Sequence, residues 1–182
     1  MARSTRGKRE THSQVRVPRV GRRASKLDSY ARMEAMDPNE IDDELRMAMR
    51  DASSASWSVR KEAGRRLAVR AEAPGVAEIL QQLLLDDQDT AVTQATADAL
   101  LGRRDRYGLR LILVAFFCAS VPSFPESSTV DQLYSAIMSD SRWMTEVGRE
   151  QLSSQLGELL LDSEESVRRE AQKLLELSRR FD

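Results

Sequence analysis

From about residue 38 to the end of the chain, the apolar positions recur with the period of a helix, not that of a strand. Four segments carry an apolar residue at a start position, followed by small or apolar residues four and eight positions on. They are Val59-Ala63-Leu67, Val92-Thr96-Leu100, Val130-Tyr134-Met138 and Val167-Ala171-Leu175, and each set falls on one helix face. The starts lie 33, 38 and 37 residues apart. A second apolar segment precedes each later start: Val76, Ile79, Leu80, Leu83 and Leu84; then Leu109–Cys118, apolar on nearly all sides; then Leu152, Leu156, Leu159 and Leu160. The self-similarity is clearest where Leu83-Leu84-Leu85-Asp86-Asp87 leads to Val92 and Leu159-Leu160-Leu161-Asp162 leads to Val167. In both, a leucine run ends one helix, an acidic turn follows and a new helix opens. Carboxylates there suit the positive end of the incoming helix.

The pattern predicts four antiparallel helix pairs: 38–51 with 56–71, 75–87 with 89–102, 106–119 with 128–141, and 147–162 with 164–181. Each pair buries one face only, so stacking is needed to make a core. Asp37-Pro38-Asn39-Glu40 opens the first helix, with Asp37 as N-cap, Pro38 at the position whose N–H is not needed and Glu40 closing the box. Pro122-Ser123-Phe124-Pro125 forces a longer turn inside the third pair. The last helix sets Val167, Ala171, Leu174, Leu175 and Phe181 against Arg168, Arg169, Lys173 and Arg180, as a helix closing a stack requires. Trp57 and Trp143, near helix starts, are expected to pack between repeats.

Composition agrees with this. Of 182 residues, 41% are hydrophobic, 31% charged and only 5% aromatic, which suits helices better than a sandwich or barrel. The near-zero net charge conceals an asymmetry. Residues 1–32 hold ten Lys/Arg against Glu10 and Asp28, a net of +8, leaving 18 basic and 27 acidic residues, a net of −9, in the rest. With few large apolar residues to offset the entropy of ordering, residues 1–32 are expected to be a disordered basic tail ahead of a helical domain over 37–182. Within the tail, Arg16, Arg19, Arg22 and Arg23 alternate with Val17, Pro18, Val20 and Gly21. This arm suits nucleic acid, an acidic protein or the chain's own acidic body, and equally a solvated tail with no fixed partner. The helix-period face of a transit peptide is weak in it, and no apolar core of a secretory signal follows its charges.

The repeat residues resemble those of the HEAT/armadillo family. That family has an aspartate near the end of the turn, then valine followed by Arg or Lys, then Ala and Leu. Asp162…Val167-Arg168…Ala171…Leu175 and Val59-Arg60…Ala63…Leu67 follow the pattern. The second repeat keeps Asp87 and Val92 but has Thr93 where the basic residue belongs, and the third, with Pro125, Val130 and Asp131, departs from it. The resemblance implies an all-α, right-handed α-solenoid of about four antiparallel pairs. It implies that Asp87, Asp162, Arg60 and Arg168 form a structural polar ladder between repeats. It also implies scaffolding or protein binding on the surface lined by the second helix of each pair.

Candidate chemistry is sparse. His12 is the only histidine and Cys118 the only cysteine, so a zinc site lacks its ligands and a nucleophile–histidine pair would have to recruit the tail. Cys118 sits in an apolar run as a buried structural thiol, and a single cysteine fits a reducing, cytoplasmic setting. There is no GxxxxGK[ST] or GxGxxG phosphate cradle. Asp86-Asp87-Gln88-Asp89 lacks the turn glycine and distal glutamate of a calcium loop and reads, like Glu164-Glu165, as helix capping. The longest apolar run, Leu111–Val121, is too short to span a bilayer. No cofactor, membrane or small-molecule ligand is expected. The candidate binding surface is basic: Arg60, Lys61, Arg65, Arg66 and Arg70 crowd one helix, with Arg103-Arg104 and Arg179-Arg180 beyond. It suits an acidic protein or a phosphate backbone, against the plain alternative that these side chains pair with carboxylates on neighbouring helices. A non-enzymatic protein-binding module leads, and a nucleic-acid-binding protein using the arm and the Arg60–Arg70 helix is the alternative.

Overall fold

The computed structural model describes residues 43–121 and 127–178. Among these it holds eight α-helices, a short 3-10 turn and no strand. The helices are α1 (Asp43–Asp51), α2 (Trp57–Val69), α3 (Val76–Leu84), α4 (Thr90–Gly102), α5 (Arg106–Ala119), α6 (Ser127–Ser139), α7 (Glu146–Leu159) and α8 (Glu165–Ser178), with the 3-10 turn at Ser141–Met144. All eight coincide with helices expected from the periodicity, with ends shifted by a few residues. The 3-10 turn was not expected. The Asp37 capping box, the Pro122–Pro125 break, Phe181 and the whole basic tail lie outside the described residues.

Capping side chains set three of the helix starts. Asp89, Asp105 and Thr145 each accept a backbone N–H in the first turn of α4, α5 and α7, which satisfies a donor that the helix cannot. Asp86 Oδ1 accepts from both Gln88 N and Asp89 N at 2.9 Å. The acidic turn is therefore capping machinery, as its composition suggests.

The helices pack on one another in a definite order. Among second helices, α4 lies between α2 and α6; among first helices, α5 lies beside α3. One position shows how close the first contact is. A Cβ built on Gly64 of α2 would lie 2.2 Å from Thr96 Oγ1 of α4, so only glycine lets the two helices approach this far. The apolar core runs without a break from Leu45 to Leu174. α5 lies at its centre, in contact with α3, α4, α6, α7 and α8, which accounts for a helix apolar on nearly all sides.

The order changes at the fourth pair. The positions one, five and nine beyond each start valine are Arg60, Gly64 and Ala68 in α2 and Thr93, Ala97 and Leu101 in α4, all buried. In α6 they are Asp131, Ser135 and Ser139, all exposed. A polar face gives a further helix nothing to bury. α8 packs on α5 and α7 instead of lying along α6, so the run of second helices ends at α6.

Trp143 packs as expected, buried in the 3-10 turn with its Nε1 donating to Ile137 O at 2.6 Å. Beside it, Arg142 donates to both Asp140 Oδ2 (2.7 Å) and Gln155 Oε1 (2.8 Å), and Gln155 Nε2 donates to Arg104 O at 2.7 Å. This chain of bonds ties the α6–α7 connection to the α4–α5 turn, where Arg104 holds a φ of 56°.

Candidate interaction surfaces

The basic residues that the sequence gathers on one helix are separated by the structure according to depth. Arg60 is a correction: it is 3% exposed and is not part of any surface. Its Nε and Nη2 donate to Asp86 Oδ2 and Oδ1 at 2.6 and 3.1 Å, and its Nη1 donates to Ser54 O and Ala55 O at 3.0 and 3.2 Å. The fork is saturated because its position turns toward the next pair, where a carboxylate of matching geometry ends α3. The partner is Asp86; the neighbouring Asp87 is exposed.

Arg103 is also withdrawn. Its Nη1 caps the end of α2 through Ala68 O at 2.8 Å, and its Nη2 meets Glu72 at 2.6 Å. Arg65 and Arg66 are exposed but share Glu62, at 3.7 and 3.4 Å, and Arg66 also reaches Asp51 at 3.8 Å. Asp98 of α4 faces Arg65; burial pushes its carboxyl up, and the Gln94 hydrogen bond and the Arg65 charge hold it back. Arg66 and Arg70 line a shallow depression of about 260 Å³ between α1 and α2, opposite Glu44. Arg104 is exposed in the α4–α5 turn. Arg16, Arg19, Arg22, Arg23, Arg179 and Arg180 lie outside the described residues. The plain reading of the basic helix, pairing with nearby carboxylates, thus accounts for Arg65, Arg66 and Arg103.

What the sequence missed on this helix is aromatic. Trp57, expected to pack between repeats, is 46% exposed. Residues 55–59 are all exposed, so the first turn of α2 projects past its neighbours. The Lys61 ammonium lies 4.7 Å from the centre of the Trp57 ring, within cation–π range, and Arg65 follows one turn on. Trp57, Lys61 and Arg65 therefore form one edge of α2.

A second surface arises from the displacement of α8. Between α5, α6 and α8 opens a cleft of about 150 Å³. Leu113 and Phe116, Tyr134 and Ile137, and Leu174 and Leu177 form its apolar walls. The buried Glu170 carboxylate stands at one side, with Lys173 Nζ at 2.8 and 3.1 Å. No repeat pattern shows this cleft in advance, because its walls come from pairs that the pattern treats as successive layers. One signal was present: Tyr134 stands where the other repeats have Ala63, Thr96 and Ala171.

Cys118 is half-buried rather than fully buried. Burial pushes its thiol up and the Glu164 carboxylate adds to this, so the reactive thiolate is disfavoured. Among the described residues no group of three or more His, Cys, Asp or Glu side chains is arranged to hold a metal ion, and no helix is long and apolar enough to cross a membrane.

The Arg110–Asp162 pair joins the third and fourth pairs, with Nε to Oδ2 at 2.8 Å and Nη2 to Oδ1 at 3.2 Å. The Arg110 hydrogen bond holds the Asp162 carboxyl below the usual carboxylate range. A depressed folded value means that the pair stabilises the fold above the unfolded carboxylate value of about 3.9. That contribution is lost as pH falls through the folded value. Asp162→Asn is therefore expected to be less stable than the parent at pH 7, and the difference should shrink as pH falls to 3. Urea unfolding at the two pH values checks this, and an unchanged difference would refute the assignment.

Compared with protein-family models, with curated proteins and with solved structures, the chain finds no match.

Proposed function

We propose that this chain is a HEAT-like helical stack acting as a non-enzymatic protein-binding module. The observation that carries the reading is the Trp57–Lys61–Arg65 edge of α2. An exposed tryptophan beside fixed cations has the composition of an interaction hot spot, and it lies on the second helix of its pair, where the family resemblance places the binding surface. The matching partner is a protein segment with an apolar anchor for Trp57 and carboxylates for Lys61 and Arg65. The nucleic-acid reading keeps the basic arm but gains little from the body, since Glu62 and Asp98 interrupt the cations a phosphate backbone would track.

The test is capture from the native host with the full chain and with Trp57→Ala. Since Trp57 is exposed, the variant is expected to fold as the parent. A specific partner should be lost, with affinity reduced about 30-fold, as for a hot-spot residue worth about 2 kcal/mol. Identical proteins captured with equal affinity would refute the α2 edge. A salt series on DNA and RNA separates the alternative: no retention at low ionic strength removes it.

A further inference from the structure

Arg60, Arg110 and Arg168 each present a planar fork to a helix–helix turn, and among the described residues the forks of the first two are filled and that of the third is not. Arg60 holds the turn before its own helix through Ser54 O and Ala55 O, six and five residues back, and spends its Nε–Nη2 edge on Asp86 of the next pair. Arg110 spends the same edge on Asp162. Arg168 repeats the first half of the Arg60 arrangement: its Nη1 donates to Asp162 O and Ser163 O, again six and five residues back, at 2.7 and 3.0 Å. Its Nε–Nη2 edge has no partner among the described residues. Leu161, one residue before the Asp162 carbonyl that Arg168 holds, is 88% exposed, whereas Leu85, the same position in the second pair, packs against the core.

We propose that the α7–α8 turn with Arg168 is a docking point for an aspartate-bearing helix–helix turn of another protein. Two groups that are satisfied by neighbouring residues inside the fold have no such partner here among the described residues, and both border the same turn. Arg168 is already held at one nitrogen, so the entropy of aligning its fork is spent before a ligand arrives. The internal Arg60–Asp86 contact shows what fits: a carboxylate with one oxygen on an N–H two residues on and both oxygens facing the guanidinium. A second copy of this chain is the poorer occupant. Stacked end to end, it would bring the turn before α2 against Arg168, and there Ser54 fills the role of Asp86, accepting Ser56 N through its hydroxyl at 3.2 Å with no charge to give. The outer face of α8 is polar, with Gln172 donating to Glu176, so contact centres on the turn and the apolar partner of Leu161.

The test follows the arginine Nε–H resonances of the full chain while a peptide of its own residues 84–95, carrying Asp86, is added at low salt. The Arg168 resonance is expected to shift and saturate, and those of Arg60 and Arg110, already occupied, to stay in place. The same peptide with Asp86→Asn should bind at least tenfold more weakly. An Arg168 signal that does not move up to about 1 mM peptide, or two peptides that act alike, would overturn the proposal. A dilution series of the protein alone tests the occupant: if Arg168 shifts with protein concentration as dimers form, the partner is a second copy and the assignment to another protein falls. Trp57→Ala leaves this readout unchanged, so the outcome is independent of the α2 edge.

Discussion

Replacing Arg60 by alanine is expected to lower the unfolding free energy by about 3–5 kcal/mol, the range for removing one partner of a buried ion pair. The side chains of Arg60 and Asp86 are only 4% and 8% exposed. The substitution leaves a carboxylate facing a protein interior with one interaction lost at each oxygen, and it frees the carbonyls of Ser54 and Ala55. The comparison is Arg65→Ala on the same helix, whose pair with Glu62 is 53% and 47% exposed and should contribute less than about 1 kcal/mol. Burial, not the number of ion pairs, decides between the two. Arg60→Ala with Asp86→Ala should lose less than the sum of the single variants, since neither charge is then stranded. Urea unfolding checks all of these, and an Arg60→Ala variant as stable as Arg65→Ala would show that the pair does not join the first two helix pairs.

Gly64→Val is expected to cost about 3 kcal/mol, the upper end of the usual overpacking penalty. Its Cβ would lie 2.2 Å from Thr96 Oγ1 and 3.2 Å from Thr96 Cβ. Rotating the threonine moves only the first of these, so α2 and α4 must separate. Little is recovered from helix propensity, since valine is only slightly better than glycine in a helix interior. Thr96 is the relieving site: its hydroxyl is buried without a hydrogen-bond partner in the structure, so Thr96→Ala alone should cost little. Combined with Gly64→Val, it should restore more than half of the loss. A double variant no more stable than Gly64→Val alone would place the clash elsewhere.

The helix pattern was legible because it depends on short-range physics. A period of 3.6 residues, and the leucine runs followed by acidic turns at Leu83–Asp86 and Leu159–Asp162, act over a few residues. They predicted all eight described helices and the capping role of the Asp86–Asp89 turn. The 3-10 turn escaped because Ser141–Met144 is too short for any period to show. The candidate surface was legible only in part. Counting arginines on α2 found the right helix, but Arg60 and Arg65 look alike in sequence and differ in depth. Trp57 was misplaced for the same reason, since aromatic character says nothing about whether a neighbour covers the ring.

The chain of amino acids by itself determined that this protein is helical over most of residues 43–121 and 127–178, where most of the turns between those helices fall, and that a basic segment precedes an acidic body. These follow from local propensity, capping and charge, which each residue carries wherever it is placed. The tertiary structure alone decided that α8 rests on α5 and α7 instead of along α6, that a cleft opens beside it, that Arg60 is spent internally, and that the equivalent edge of Arg168 has no partner among the described residues. Those outcomes depend on which polar faces had nothing to bury and on which carboxylate came within reach of which guanidinium. Such distances between residues far apart in the chain are set by packing alone.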